Sequence, residues 1–169
     1  GVFSLDTKVA REVMVPRTDA FMVDIQDDVQ ENINLILGEN YSRIPVYSED
    51  KDKIVGILHT KTLLKAARNL GFENIELGAI IQEPLFVPET IFIDDLLYEL
   101  KRTQNQMAIL LDEYGGVVGL ATLEDLLEEI VGEIDDETDE VENLYTQVAD
   151  NEYLVQGRML IDEFNEVFE

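Results

Sequence analysis

The sequence predicts an α+β fold made of two successive βαββα units packed around a pseudo-twofold axis, with the start of a further α+β domain behind them. Three observations predict it. First, apolar positions repeat at a constant offset: Gly119 stands 63 residues after Gly56, and without a gap Val29, Ile33 and Leu37 map onto Phe92, Leu96 and Leu100, Val46 onto Ile109, Ile54 and Val55 onto Val117 and Val118, and Leu63 and Leu64 onto Leu126 and Leu127. Second, within each copy the apolar spacing changes from the short runs of strands to the i, i+3, i+4 spacing of helices. Third, one copy is too small to close a core comfortably, so two should pack face to face and leave a cleft between them.

Residues 1–19 read as a lead-in, with Val9 and Val13 one helical turn apart and Pro16 closing the pattern. The first unit, 20–71, opens with a strand over 20–25 and continues with a helix whose face is Val29, Ile33 and Leu37 and whose stop is Gly38. Strands over 44–47 and 54–58 follow, separated by a charged turn over 48–53. A helix over 60–70 then turns Leu63, Leu64 and Ala67 inward and ends at Gly71. A linker over 72–83 leads to the second unit, 84–134. There a Gly115–Gly116 turn precedes the strand residues Val117, Val118 and Leu120, and Leu123, Leu126, Leu127, Ile130, Val131 and Ile134 form one helix face.

The acidic run over 133–142 reads as a solvated linker, assigned to 135–142, rather than a metal cage, because neighbouring carboxylates need not converge. Residues 143–169 carry further strand and helix patterns. Strands are expected over 141–148 and 153–158, and Leu160, Ile161, Phe164, Val167 and Phe168 start an amphipathic helix that reaches residue 169 without a cap.

Twelve basic residues against thirty-seven acidic ones leave a formal charge of -25, which repels phosphodiester backbones and anionic lipid, so nucleic acid is not an expected partner. The same charge gathers hard cations such as Mg2+, although solubility alone would account for it. There is no cysteine, hence no disulfide, thiolate ligand or thiol nucleophile. No apolar run approaches the roughly 20 residues that span a bilayer, so the sequence reads as a soluble piece.

At the junction of the last strand and helix stand Thr122 and Asp125, spaced as a hydroxyl and an acid three residues apart. The arrangement caps a helix without any ligand. It also sets a hydroxyl and a carboxylate beside the N–H donors of a helix start, where a phosphate is well received and a carboxylate can grip a ribose diol. In register with them the first unit has His59 and Thr62, so it lacks the carboxylate and its equivalent site should be weaker or empty. His59 is the only histidine and reads as a helix-start residue. With no nucleophile and base in a suggestive pairing, no catalytic residue is assigned.

The tandem units resemble a pair of cystathionine-β-synthase (CBS) domains, a Bateman module, and GLATLED at 119–125 looks like that family's nucleotide signature. VMVPRTD at 13–19, SRIPVY at 42–47, DEYGG at 112–116 and EEIVGEIDDE at 128–137 are similar to the cytosolic part of the CorC/HlyC transporter-associated proteins, relatives of the cyclin-M magnesium transport mediators. The resemblance implies a non-enzymatic regulatory module that binds an adenine nucleotide, ATP or AMP, together with Mg2+, and that acts on a magnesium or cobalt transporter. It further implies a homodimer through the paired units, a transmembrane transport domain in the same polypeptide, and a place on the cytoplasmic face of the cell membrane. Residues 143–169 would then be the start of the family's C-terminal domain.

On this reading Asp125 takes the ribose hydroxyls and Thr122 the phosphate or ribose. The first unit supplies the other wall from Ser42, Arg43, Ile44 and Pro45, with Arg43 neutralising phosphate while Ile44 and Pro45 face the base. An ordinary start of a strand, with Arg43 in a surface ion pair, accounts for the same four residues. Arg17, Thr18 and Asp19 read as a turn stabilised by Asp19, and Phe86 and Met107 read as core. The alternative to a nucleotide sensor is a dimerisation scaffold with a vestigial cleft.

Overall fold

A computed structural model describes residues 8–133; the expectations for the acidic linker and for the segment behind it lie outside the described residues. Eleven strands and helices follow one another along this stretch. They are β1 (Val15–Pro16), β2 (Val23–Asp24), α1 (Val29–Leu37), β3 (Arg43–Ser48), β4 (Asp50–His59), α2 (Thr60–Leu70), β5 (Leu85–Pro88), α3 (Ile93–Thr103), β6 (Met107–Leu111), β7 (Val117–Thr122) and α4 (Leu123–Glu133). After the short β1 the order is βαββα twice, and α2 and α4 coincide residue for residue under the 63-residue offset. Among the described residues no helix is long and apolar enough to cross a membrane. The chain divides into two compact units, one of residues 17–84 with 112–117, the other of 8–16, 85–111 and 118–133.

In the unit of the first repeat, β2 runs parallel to β3 and β3 antiparallel to β4, in the order β2-β3-β4. Ile57 and Gln82 exchange backbone hydrogen bonds at 2.8 and 2.9 Å, so the segment before β5 lines the β4 edge. Helix α1 is capped by Asp28, whose carboxylate accepts the Glu31 N–H at 3.1 Å, and it stops at Gly38. Its inward residues are Asn32, Ile33 and Ile36; Leu37 is 43% exposed, contrary to the expected face. The reason is polar. The Asn32 amide donates to the Asp24 carbonyl at 2.8 Å, so the helix turns this side toward the end of β2 and Leu37 rotates outward. Leu64 also faces solvent while Leu63 is fully buried, as a narrow helical stripe requires. The expected turn over 48–53 is almost entirely strand. Only Glu49 turns the chain, at φ 67°, its N–H held by the Asp24 carboxylate at 3.0 Å, and Asp52 donates its N–H to the Asp50 carboxylate at 2.8 Å. Side-chain acceptors close this hairpin with one residue where charge composition suggests six.

In the unit of the second repeat the sheet order is β1-β7-β6-β5, with β5 parallel to β6 from the Leu85–Ala108 pair to the Pro88–Leu111 pair. The helical pattern of the lead-in shrinks to one 3-10 turn, Ala10–Glu12, because Pro16 and the pairing of Val15 with Leu120 pull the chain into β1. Leu96, Leu100, Ala108, Ala121, Leu123 and Leu126 are within 1% of fully buried and close the core. Phe92 is not in it: it precedes α3, its backbone is extended and 43% of it is exposed. Phe86 is likewise 43% exposed, whereas Met107 is buried as expected.

Candidate functional site

Strand β7 ends at Thr122 and α4 begins at Leu123, so the chain must change direction within one residue. Two apolar side chains fix where the helix starts: Leu123 and Leu126 are 1% and 0% exposed. Two hydrogen bonds take the leading N–H groups. Leu123 donates to the Gln106 carbonyl at 2.9 Å, and Asp125 donates to the Thr122 hydroxyl at 3.2 Å. The cap anticipated from the spacing therefore forms. It leaves the Asp125 carboxylate, half-buried like Thr122, outside the capping arrangement.

The electrostatics decide which part of a ligand suits this joint. Glu124 and Asp125 both lie in the first turn of α4, where negative charge is favoured by the helix dipole. The same two charges oppose a phosphate at that end. A ribose diol, which donates hydrogen bonds and carries no charge, is the better match for Asp125.

The corresponding joint of the first repeat is built differently. His59 precedes α2 with extended backbone and makes no side-chain capping bond. Thr60 does the local work, its hydroxyl donating to the Tyr41 carbonyl at 2.7 Å and its N–H to the Ser42 carbonyl at 3.0 Å. No acid stands in the first turn of α2, and Thr62 is half-buried.

Of the residues assigned to the other wall, Ser42 is exposed and Arg43, half-buried, opens β3 opposite His59. Ile44 is fully buried in its unit's core with Val46, Leu58 and Leu63, so its side chain is committed to packing. Pro45 is buried where β3 has a ladder partner on one side only, since β2 reaches just Val46 and Tyr47; a missing N–H costs nothing there. Thr122 and Asp125 belong to one compact unit and Ser42 to Pro45 to the other. Among the described residues no group of three or more His, Cys, Asp or Glu side chains is placed to hold a metal ion.

One polar node had no local signal in the sequence. Arg17 Nη1 donates to the Asp52 carboxylate at 2.6 Å and to the Val117 carbonyl at 3.1 Å, and Asp52 accepts the Val117 N–H at 2.9 Å. The partners are 35, 100 and 65 residues apart, which no spacing rule detects. The turn over 17–20 does form, with Ala20 donating to the Arg17 carbonyl at 3.4 Å, but Arg17 rather than Asp19 carries its contacts. The Val117 N–H first, then Arg17, holds the Asp52 carboxyl below its ordinary value of 3.8. A depressed carboxyl stabilises the fold above its unfolded pKa and loses that contribution as pH falls through the folded one. Asp52→Asn is therefore expected to flatten the acid limb of a stability-against-pH series below about pH 4 and to leave its neutral part parallel to wild type. An unchanged acid limb would remove Asp52 from the account.

A family model described as CBS domain matches residues 10–69 and 77–132. The chain is 41% identical over 169 residues to UPF0053 protein YugS of Bacillus subtilis, covering 99% of this chain and 39% of that protein. It is 37% identical over 169 residues to the magnesium and cobalt efflux protein CorC of Escherichia coli, covering 99% of this chain and 58% of that protein. The chain thus spans less than two thirds of the length of each of these relatives. A solved structure of the CBS domain of the bacterial CNNM/CorC family Mg2+ transporter in complex with ATP is 40% identical, with a TM-score of 0.70 over 77% of this chain and 92% of that one.

Proposed function

The chain belongs to the CBS-domain family as a tandem pair of the CorC kind, and from that premise we propose that it is a regulatory, non-enzymatic module that binds an adenine nucleotide and reports occupancy to a membrane transporter of divalent cations such as magnesium or cobalt. The observation that carries the reading is the β7–α4 joint, where Thr122 and Asp125 meet at a helix start whose N–H groups are already partly satisfied. The relative solved with ATP and the E. coli relative's name support the ligand and the transport role respectively.

In this proposal Asp125 grips the ribose hydroxyls and Thr122 the adjoining ribose or phosphate oxygen. Ser42, Arg43, Ile44 and Pro45 supply the remaining contacts, Arg43 to the phosphates and Ile44 through its backbone. A polyphosphate approaching a chain of charge -25 is repelled. Mg2+ on the phosphates reduces that repulsion, so ATP is taken as its magnesium complex. The ligand acts by having different affinity for two arrangements of the module, on the cytoplasmic face of the membrane that holds the transporter.

One observation favours a second reading, a dimerisation scaffold. Leu35, Leu64 and Leu70 on α1 and α2 are 55%, 49% and 57% exposed, and a second copy would cover them. Calorimetric titration with ATP and AMP, with and without Mg2+, combined with sedimentation of the same samples, separates the two. Saturable binding supports the sensor; a dimer with no binding at millimolar nucleotide leaves the scaffold.

A further inference from the structure

Residues 8–16 precede the first repeat in sequence but are built into the unit of the second. Lys8 accepts the Ile93 N–H at 3.0 Å through its carbonyl, Ala10 donates to the Ile91 carbonyl at 2.8 Å and Arg11 to the Glu89 carbonyl at 3.0 Å. Ala10 is fully buried in that unit's core, and Val13 and Met14 pack against it. The strap is fixed on both sides of the candidate site. Upstream of Thr122, β1 pairs with β7 at Gly119 and Leu120. Downstream, the Lys8 ammonium is bonded to the Glu129 carboxylate, one helical turn beyond Asp125 on α4.

From this placement, and resting on the nucleotide reading above, we propose that residues 8–16 are the output element of the Thr122–Asp125 site: ligand at the β7–α4 joint holds the strap closed, and its loss lets the strap open. The joint can change shape only if β7 and α4 shift against each other, and the strap is bonded to both. Its ties are backbone hydrogen bonds, the packing of Ala10, Val13 and Met14 on the unit's core, and a partly exposed ion pair, the side chains 26% and 29% exposed. Its strand β1 is two residues long and lies at the edge of the sheet, and short edge strands open at lower free energy than central ones. Binding energy at the joint is therefore felt first here. Linkage makes the coupling reciprocal, so loosening the strap must weaken the ligand by the factor with which the ligand tightens the strap.

Hydrogen exchange of the whole chain read by mass spectrometry, with and without saturating ATP and Mg2+, tests this. Peptides covering 8–16 are expected to exchange at least about five-fold more slowly with ATP, at the low end of ordinary allosteric coupling. Glu129→Gln should speed their exchange without ligand and weaken ATP several-fold. Arg102→Gln, which removes the exposed pair with Glu99 on α3, should do neither. Protection confined to the β7–α4 joint, with 8–16 unchanged, overturns the proposal while leaving the nucleotide reading intact. If calorimetry finds no ATP binding at all, that reading falls first and the strap's role with it.

Discussion

Gly119→Ala is expected to be one of the most damaging single-methyl additions available to this chain, lowering its unfolding free energy by about 3 kcal/mol, the upper end for overpacking a filled site. A Cβ at this position would collide with the Val15 carbonyl of β1 and stand 2.8 Å from Met14 Sδ. The carbonyl cannot swing aside, because Val15 and Pro16 are paired to Leu120 and Gly119 themselves. Relief requires β1 to leave β7, which breaks that pairing. Gly56, at the matching place in the first repeat, meets the Ile81 side chain instead, at 2.7 Å from Cδ1 and 2.8 Å from Cβ. Rotation of Ile81 relieves only the Cδ1 contact, because its Cβ is fixed to a backbone that Gln82 ties to Ile57, so Gly56→Ala should also cost about 1–3 kcal/mol. Urea unfolding followed by circular dichroism measures both. A Gly119→Ala protein as stable as wild type would show that the approach of β1 is not tight.

These two glycines show what was legible in the sequence and what was not. Their 63-residue spacing exposed the repeat, yet the reason a glycine is needed at each lies in a segment far away in sequence: β1 for Gly119, and residues 81 and 82 for Gly56. Order within each repeat was readable because periods of two and of about four residues reflect burial by nearest elements. Local chemistry was readable for the same reason: Thr122 caps the third residue on, and the hydrogen bond is there. What failed depended on long-range partners. Leu37 and Leu64 carry the right residue type for a core, and only the Asn32 contact with β2 and the narrowness of the α2 stripe put them outside. The Arg17–Asp52–Val117 node joins three places no window contains.

Asp125→Ala is expected to weaken the nucleotide about a hundredfold, while the folded structure persists. The ionised carboxylate can accept two hydrogen bonds from a ribose diol, and charge-assisted bonds are about twice as strong as neutral ones, so the loss is on the order of 2–3 kcal/mol, or about two decades in affinity. The fold survives because the cap uses the Asp125 backbone N–H, not its carboxylate, and alanine keeps that donor. Thr122→Ile removes the acceptor of that bond as well as the ligand contact, so it should lose binding and also about 1 kcal/mol of stability. The first repeat offers the contrast. Thr62 stands where Asp125 does, with one neutral hydroxyl on a shorter stem, and the local hydrogen bonds of that joint are made by Thr60. Thr62→Ala should therefore change affinity by no more than a few-fold, since at most one neutral bond is at stake. One strong site per chain follows, and calorimetry reports it directly as stoichiometry. Two equal sites per chain, or undiminished affinity in Asp125→Ala, would mean that the ligand sits elsewhere than the β7–α4 joint.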